Sequence, residues 1–382
     1  MRFAVLGAGM QGMACTYDLL CAPQTEGVLL LDADRQAVEA ASKRILSDKL
    51  QVRCLDCSRP ELLGPALSGV RVAISALPYR FNLQAARAAL EAGVSFIDMG
   101  GNTDLVLEEL KLSELAKQRD VCLIPDCGLA PGLVNVLVAD AVNELELVDK
   151  VEIRVGGIPE RPVPPWNYRL VFSFYGLINE YTGKAAVLRD YRLAEEPVLE
   201  GLEEIEFPPP VGKCEAAFTS GGSSTLPWTF AGKIRELDYK TIRYPGHYHL
   251  LKGLAALGLF SREPVTVGNQ QVIPLEVLRE LFMRHLGPSA EPDLIVLRVT
   301  SRGQKGGCQV KLVHQLIDRM DGQTGFSAME RCTAFPTSII AQMIARGEID
   351  KKGAFAPEQV VPPARLLEEL SWRNIAIERR LE

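Results

Sequence analysis

Apolar positions in the first 125 residues form short unbroken runs, and the stretches between them carry helical spacing. Arg2 to Leu6, Val28 to Leu31, Val52 to Leu55, Val72 to Ala76, Ser95 to Asp98 and Val121 to Ile124 read as strands. Runs this continuous suit strands buried on both faces, as in a parallel sheet covered by helices. Met10, Met13, Ala14, Tyr17 and Leu20 recur as one helical stripe. Asn82 to Glu91 reads as an alanine-rich helix closed by Gly93, and Leu105 to Gln118 as a helix with a charged face. The alternation predicts an α/β fold with a Rossmann-type, doubly wound parallel sheet.

The pattern changes after Ile124. Pro125 to Gly132 is a turn-rich crossing, and Pro131 is placed to open a helix from Leu133 to Val142. Beyond it β signals dominate, at Val151 to Val155, Glu215 to Thr219, Leu237 to Tyr244, Leu294 to Thr300 and Gln309 to Ile317. They predict a second, mixed α+β domain. Proline clusters at 159–165 and 208–210 read as surface connections, because apolar segments with aromatic residues flank them. A last helix is expected from Thr337 to Arg346, after Pro336 and before Gly347, with Ile339, Ile340, Met343 and Ile344 on one side. That stripe needs a surface to cover it, and the nucleotide domain is the expected one. The expected division is residues 1–125 plus about 336–382 as an NAD-binding domain, and 126–335 as a substrate-binding, catalytic domain.

The first strand runs into Gly7-Ala8-Gly9-Met10-Gln11-Gly12. Gly7 permits the tight turn, Gly9 lets backbone approach a pyrophosphate, and Gly12 lets the helix pack on the strand. The helix N-terminus then offers unpaired N–H groups and a positive dipole end to phosphates. Asp32 follows Gly12 by roughly the 20 residues at which a carboxylate takes the adenosine ribose hydroxyls. It would repel a 2′-phosphate, so NAD is expected rather than NADP.

Composition narrows the partners. With 42 Lys and Arg against 48 Asp and Glu the formal charge is −6, and no basic run stands out. Neither nucleic acid nor an anionic membrane is expected as a partner; a small molecule is. No apolar run approaches the roughly 18 residues of a membrane span, and a strand starting at residue 2 leaves no room for a signal peptide, so a cytoplasmic protein is expected. The nine cysteines lack a repeating framework and are expected as thiols. Cys54 and Cys57 form one CxxC without the further ligands zinc needs, so no metal is expected. A homo-oligomer is expected.

Several longer blocks carry a resemblance: GAGMQG at 7–12, ALPYRFN at 76–82, FIDMGGN at 96–102, IPDCGLAPG at 124–132, GGIPERPVPPWNYRLVFSFYGLINEYTG at 156–183, TSGGSSTLP at 219–227, DYKTIRYPGH at 238–247 and PTSIIAQMIARGEI at 336–349. Together they resemble the saccharopine dehydrogenase superfamily, and within it the lysine 6-dehydrogenases. The resemblance implies NAD-dependent oxidation of an amine-bearing carbon. For L-lysine, hydride leaves Cε, the imine is hydrolysed with release of ammonia, and the aldehyde, 2-amino-6-oxohexanoate, cyclises to a piperideine carboxylate. A saccharopine- or polyamine-type C–N oxidoreductase is the alternative, and a non-catalytic NAD-sensing protein of the same fold is a third. Pro78, Arg80, Asn102, Trp166 and Arg169 depart from the lysine enzymes' pattern, and Arg80 and Arg169 could favour a more acidic substrate.

In a doubly wound sheet the ligand crevice lies at the carboxyl ends of the strands. Ala76, Leu77 and Tyr79 should therefore pass close to the nicotinamide half, if they are more than a proline turn opening a helix. Asp98 and Asp126 end strands there. Either carboxylate could hold the substrate ammonium or accept its proton, and Asp98 is preferred as the catalytic one, yet Asp at a strand end is also a common turn residue. Arg243 is the candidate for a substrate carboxylate, because a guanidinium offers two parallel donors; an internally paired arginine is the alternative. His247 reads as a proton-transfer or orienting group, or as a packed histidine. Tyr168 and Phe172 are candidates for a wall around a methylene chain, in a segment whose rings are otherwise core. The 219–227 loop could bring backbone N–H groups near an anion.

Overall fold

The computed structural model describes residues 1–287 and 291–382. Its first part alternates β1 (Arg2–Leu6), α1 (Met10–Cys21), β2 (Gly27–Asp32), α2 (Arg35–Arg44), β3 (Leu50–Cys54), α3 (Pro60–Ala66), β4 (Val72–Ser75), α4 (Asn82–Glu91), β5 (Ser95–Asp98), α5 (Thr103–Leu110), α6 (Ser113–Gln118) and β6 (Cys122–Ile124). These strands pair in parallel in the order β6-β5-β4-β1-β2-β3. β1 lies between β2 and β4, so the strand order reverses at its carboxyl end, where the glycine loop begins. The stretch expected as one helix over 105–118 is two. The amides of Lys111 and Leu112 bond carbonyls three residues back, at Glu108 and Glu109, and this tighter turn ends α5.

The second part comprises α7 (Leu133–Glu144), β7 (Leu147–Pro159), α8 (Phe174–Glu180), β8 (Lys184–Arg189), β9 (Arg192–Pro197), β10 (Glu203–Phe207), β11 (Gly212–Phe218), α9 (Leu226–Phe230), β12 (Glu236–Arg243), α10 (His247–Ala256), a small hairpin of β13 (Val265–Val267) and β14 (Gln270–Val272), α11 (Pro274–Leu286), β15 (Asp293–Lys305) and β16 (Cys308–Arg319). They build a mixed sheet in which β12 runs parallel to β7 while β11, β15 and β16 pair antiparallel.

The chain then returns through α12 (Ala328–Arg346), β17 (Gly353–Ala354), α13 (Pro357–Val360), α14 (Pro363–Trp372) and β18 (Glu378–Leu381). β17 adds to the first sheet beside β6, but β18 pairs with β16 of the second. α12 begins nine residues before the expected start. Ser327 and Glu330 form a reciprocal capping box, and Asp293 accepts from the amides of Ala328 and Met329. So well fixed a start carries the helix through Pro336, which forgoes one backbone bond. Fifteen of its nineteen residues are buried. Its apolar residues share one continuous core with β1, α1, α7, β7 and β15. Among the described residues, no helix is long and apolar enough to cross a membrane.

A polar knot fixes this junction. Buried Asp18 of α1 accepts from Ser338 Oγ at 2.6 Å and Gln342 Nε2 at 3.4 Å on α12, and from Arg373 Nε at 2.6 Å. Asp18→Ala is expected to lower the unfolding free energy by about 3 kcal/mol, at the low end for a broken buried pair because Arg373 keeps Glu369. Urea denaturation followed by circular dichroism measures it.

Candidate functional site

The glycine loop has the backbone its residue types demand. Gly7 has φ of +100°, and a Cβ there would press on the carbonyl of Ala76. A Cβ on Gly12 would collide with the carbonyl of Gly7, whereas one on Gly9 would meet no protein atom within 4 Å. Gly9 thus borders open space at the N-terminus of α1, as a pyrophosphate requires. Asp32 ends β2 and accepts from the amides of Ala8 at 2.6 Å and Asp34 at 2.8 Å, which ties the loop to the strand end where ribose hydroxyls would lie. These residues fit a dinucleotide. Ala76 packs on Gly7, with Leu77 beside it, and Leu77 N–H donates to Ser75 Oγ, so both lie beside the loop. Met10 opens α1 and is exposed.

A cavity of about 210 Å³ lies between the two sheets. Gln11, Met99 and Leu129 to Pro131 line it from the first sheet's side, Met329 and Thr333 from α12, and Phe172, Glu180, Tyr239, Thr241 and Arg243 from the second sheet's side. Strand alternation explains the last three, because residues two apart on β12 share a face.

Arg243 is 2% exposed. Its Nε donates to Tyr181 Oη at 2.9 Å and its Nη1 to the carbonyl of Ile242 at 2.9 Å, and the guanidinium lies 5.1 Å from the centre of the Tyr168 ring. Glu180 Oε2 stands 3.7 Å from Nη2, too far for a hydrogen bond. Two of the five N–H donors are committed, leaving donors on Nη1 and Nη2 at a cavity wall. Glu180 Oε2 is itself buried with no hydrogen-bond partner. Burial pushes this carboxyl up to about 7, against the pull of Arg243. A carboxyl poised there can gain or lose a proton near neutrality.

His247 stands one step behind. Its Nε2 meets Tyr181 Oη at 2.9 Å, and its ring packs on Tyr168 at 4.8 Å between centres. Burial, then the charge of Arg243, holds the imidazole well below its usual range, so it is neutral and shares a hydrogen bond with Tyr181, whose hydroxyl accepts from Arg243. His247 does not line the cavity. It meets Arg243 only through Tyr181, so of the readings given above the contacts describe the packed, hydrogen-bonded histidine and not a group within reach of a ligand in the cavity.

Asp98 and Asp126 do not line the cavity either. Asp98 Oδ1 accepts from the amides of Gly100 at 2.7 Å and Asp126 at 3.2 Å, and Asp126 Oδ2 accepts from Ser224 Oγ. Both are fully buried beside buried Glu109. Burial pushes Asp98 up to about 6; burial and the two aspartates push Glu109 up to about 11. This acid cluster shapes the loops from behind, so turn-holding, the other reading of these two aspartates, is what the contacts describe. Tyr79 packs against Gly101 outside the cavity, Tyr168 is buried under Arg243, and Phe172 lines the wall. Arg169 pairs with Glu291 at 3.0 Å and Arg80 lies over Phe81, so neither bears on the cavity. The 219–227 loop contributes the Ser224 link to Asp126. Glu180, Tyr181 and Tyr239 were not singled out from sequence. Counting back by twos from Arg243 would have found Tyr239; Glu180 and Tyr181 lie in the quoted 156–183 block, with nothing in the spacing to mark them. Among the described residues, no group of three His, Cys, Asp or Glu side chains is placed to hold a metal.

Two family models match: the saccharopine dehydrogenase NADP binding domain over residues 3–124 and the saccharopine dehydrogenase C-terminal domain over 128–375. The mitochondrial alpha-aminoadipic semialdehyde synthase of Mus musculus is 24% identical over 356 residues, and that of Bos taurus 23% over 369. The alignments take in 74% and 78% of this chain but 38% and 39% of those proteins, so the chain spans well under half their length. Apo saccharopine dehydrogenase (L-Glu forming) from Saccharomyces cerevisiae shares the fold, with a TM-score of 0.80, 16% identity and coverage of 100% of this chain and 99% of that one.

The loop geometry separates two glycine variants. Gly9→Ala is expected to stay within about 0.5 kcal/mol of the parent in stability yet lose NADH affinity at least tenfold by calorimetry, whereas Gly12→Ala should lose about 1–3 kcal/mol of stability as well. Glu180 gives a pH-dependent difference. Because its carboxyl is raised, the folded state binds the extra proton between about pH 4.5 and 7, and stability falls as pH rises through that window. Glu180→Gln should match the parent at pH 4 and exceed it by up to about 3 kcal/mol at pH 8 in chemical denaturation.

Proposed function

The chain belongs to the saccharopine dehydrogenase family, and from that membership we propose that it is an NAD-dependent oxidoreductase acting on the amine-bearing carbon of an amino acid, with L-lysine as substrate and Cε as the carbon oxidised. The observation that carries this reading is Arg243: a buried guanidinium with uncommitted donors, on a cavity whose other side is Gln11 of the glycine loop. A substrate carboxylate completes the guanidinium with paired charge-assisted bonds. The rest of its chain then runs toward the dinucleotide loop.

NAD, when bound, accepts the hydride. The amine-bearing carbon gives up that hydride and its nitrogen a proton, leaving an imine. Water adds to it, ammonia leaves, and the aldehyde closes on the α-amine. The protein's part is mainly positioning. Arg243 fixes one end of the substrate, Phe172, Met99 and Leu129 supply apolar wall, and closure of the two parts over the substrate would exclude water while hydride moves. NAD rather than NADP rests on Asp32, whose carboxylate sits against Ala8 and would repel a 2′-phosphate, although the matching family model is described by NADP.

The saccharopine-type alternative draws on the relatives' names. It needs room for two joined amino acids and a second anion site, and a cavity of about 210 Å³, below the usual ~300–1,000 Å³ of drug-sized pockets, favours a single amino acid. The test is the purified protein with NAD or NADP against lysine, ornithine, saccharopine and cadaverine, following NADH and ammonia. NADH and ammonia in equal amounts from lysine, with at least tenfold higher kcat/KM for NAD, is the expected outcome. Glutamate from saccharopine without ammonia would establish the alternative, and tight NADH binding with no turnover would point to a nucleotide-sensing protein.

A further inference from the structure

We propose that Glu180 and Arg243 act together as a clamp for the zwitterionic head of an α-amino acid, Glu180 taking the α-ammonium and Arg243 the α-carboxylate, so that the amine oxidised is a second one at the far end of the side chain. The oxidation half of this inference rests on the function proposed above; the binding half does not.

Three observations carry it. Glu180 Oε2 and Arg243 Nη2 stand 3.7 Å apart on one cavity wall, opposite charges side by side as in an amino-acid head, yet too far apart to satisfy each other. Oε2 is buried with no donor, and a buried unpartnered oxygen on a cavity marks a place for a ligand donor. The backbone carrying each group is anchored, and for Arg243 the side chain as well. Arg243 is fixed by Tyr181 and the Ile242 carbonyl, and Glu180 ends α8, whose Asn179 donates to the carbonyl of Gly101 and accepts, at its own carbonyl, from Ser220.

The remaining wall fits the rest of such a molecule. Beside the charged pair the lining includes apolar Met99, Leu129 and Phe172. At the far side Gln11 places a second buried, unpartnered acceptor, Oε1, on the same cavity. Charged groups at one end, methylene-compatible surface in the middle and a lone acceptor at the other describe a diamino monocarboxylic acid lying lengthwise. A diamine lacks the carboxylate for Arg243, and a monoamino acid offers Gln11 nothing.

Norleucine tests the clamp without turnover, because it has the head and the methylene chain but no distal amine. Calorimetry on the full chain with NADH present compares norleucine, N-acetylnorleucine and hexanoate at pH 8. Norleucine is expected to bind at least tenfold more tightly than either analogue, and Glu180→Gln to erase that advantage while leaving hexanoate unchanged. Equal binding of norleucine and N-acetylnorleucine, equal weakening of all three by Glu180→Gln, or no binding of norleucine at millimolar concentration would overturn the clamp. The analogue comparison needs no variant, so a misfolded Glu180→Gln does not spoil it. Failure of the lysine reading shows separately, as norleucine bound through the clamp while lysine yields no NADH.

Discussion

The buried positive charge of Arg243 is the constraint around which the cavity is organised. Removing a guanidinium from water costs several kcal/mol unless its donors are filled and an opposite charge is near. Here the compensation is partial. Tyr181 and the Ile242 carbonyl take two donors, the Tyr168 face lies against the cation, and Glu180 supplies charge from a distance that gives attraction without a hydrogen bond. The arrangement is stable enough to exist and short of one anion. That shortfall is a source of affinity, because a ligand carboxylate repairs a deficit the fold has already incurred.

The same logic separates the carboxyls that look reactive from the one that faces the ligand. Asp98 and Asp126 sit at the carboxyl ends of strands, where a doubly wound sheet places its chemistry, but their oxygens are turned to backbone amides and to Ser224. With Glu109 beside them and, among the described residues, no cation paired to the cluster, burial and mutual repulsion favour shared protons over three charges. Neither aspartate lines the cavity. Glu180 differs in its placement: its Oε2 is buried without a hydrogen-bond partner on the cavity wall, beside the cation of Arg243.

These differences explain what the sequence could disclose. The glycine loop, Asp32 and the parallel strands are set by neighbours in the chain, and their periodicity carries the information directly. Arg243 was legible as a candidate and lies on the cavity wall, and β12's alternation would have added Tyr239 and Thr241. Glu180 was not, because its role depends on the end of a seven-residue helix meeting a strand more than fifty residues later. The same holds for the choice between turn-holder and reactive acid at Asp98 and Asp126: burial, a tertiary property, decides it. Pro336 misled for a related reason. A proline usually opens a helix, but the capping box and Asp293 had already started this one upstream, and its burial in a shared core outweighs one missing backbone bond.

Two kinds of contact join the halves that enclose the cavity, and their strengths differ. On one side α12 and α7 are threaded through a common core with α1 and the second sheet, so parting them would expose a large apolar area. Elsewhere the halves are tied by Asn179 to the carbonyl of Gly101 and by Ser224 to Asp126, side-chain bonds whose net worth is about 1 kcal/mol each for ordinary pairs and somewhat more where a charge is involved. A reaction that moves hydride in a dry site and then consumes water needs a boundary of this second kind. These bonds end on the Gly101 carbonyl and on Asp126, in the segments that the acid cluster shapes. The strand-end aspartates thus hold the junction between the halves, and in the reading proposed above it is Arg243 and Glu180, on the cavity wall, that would meet a substrate.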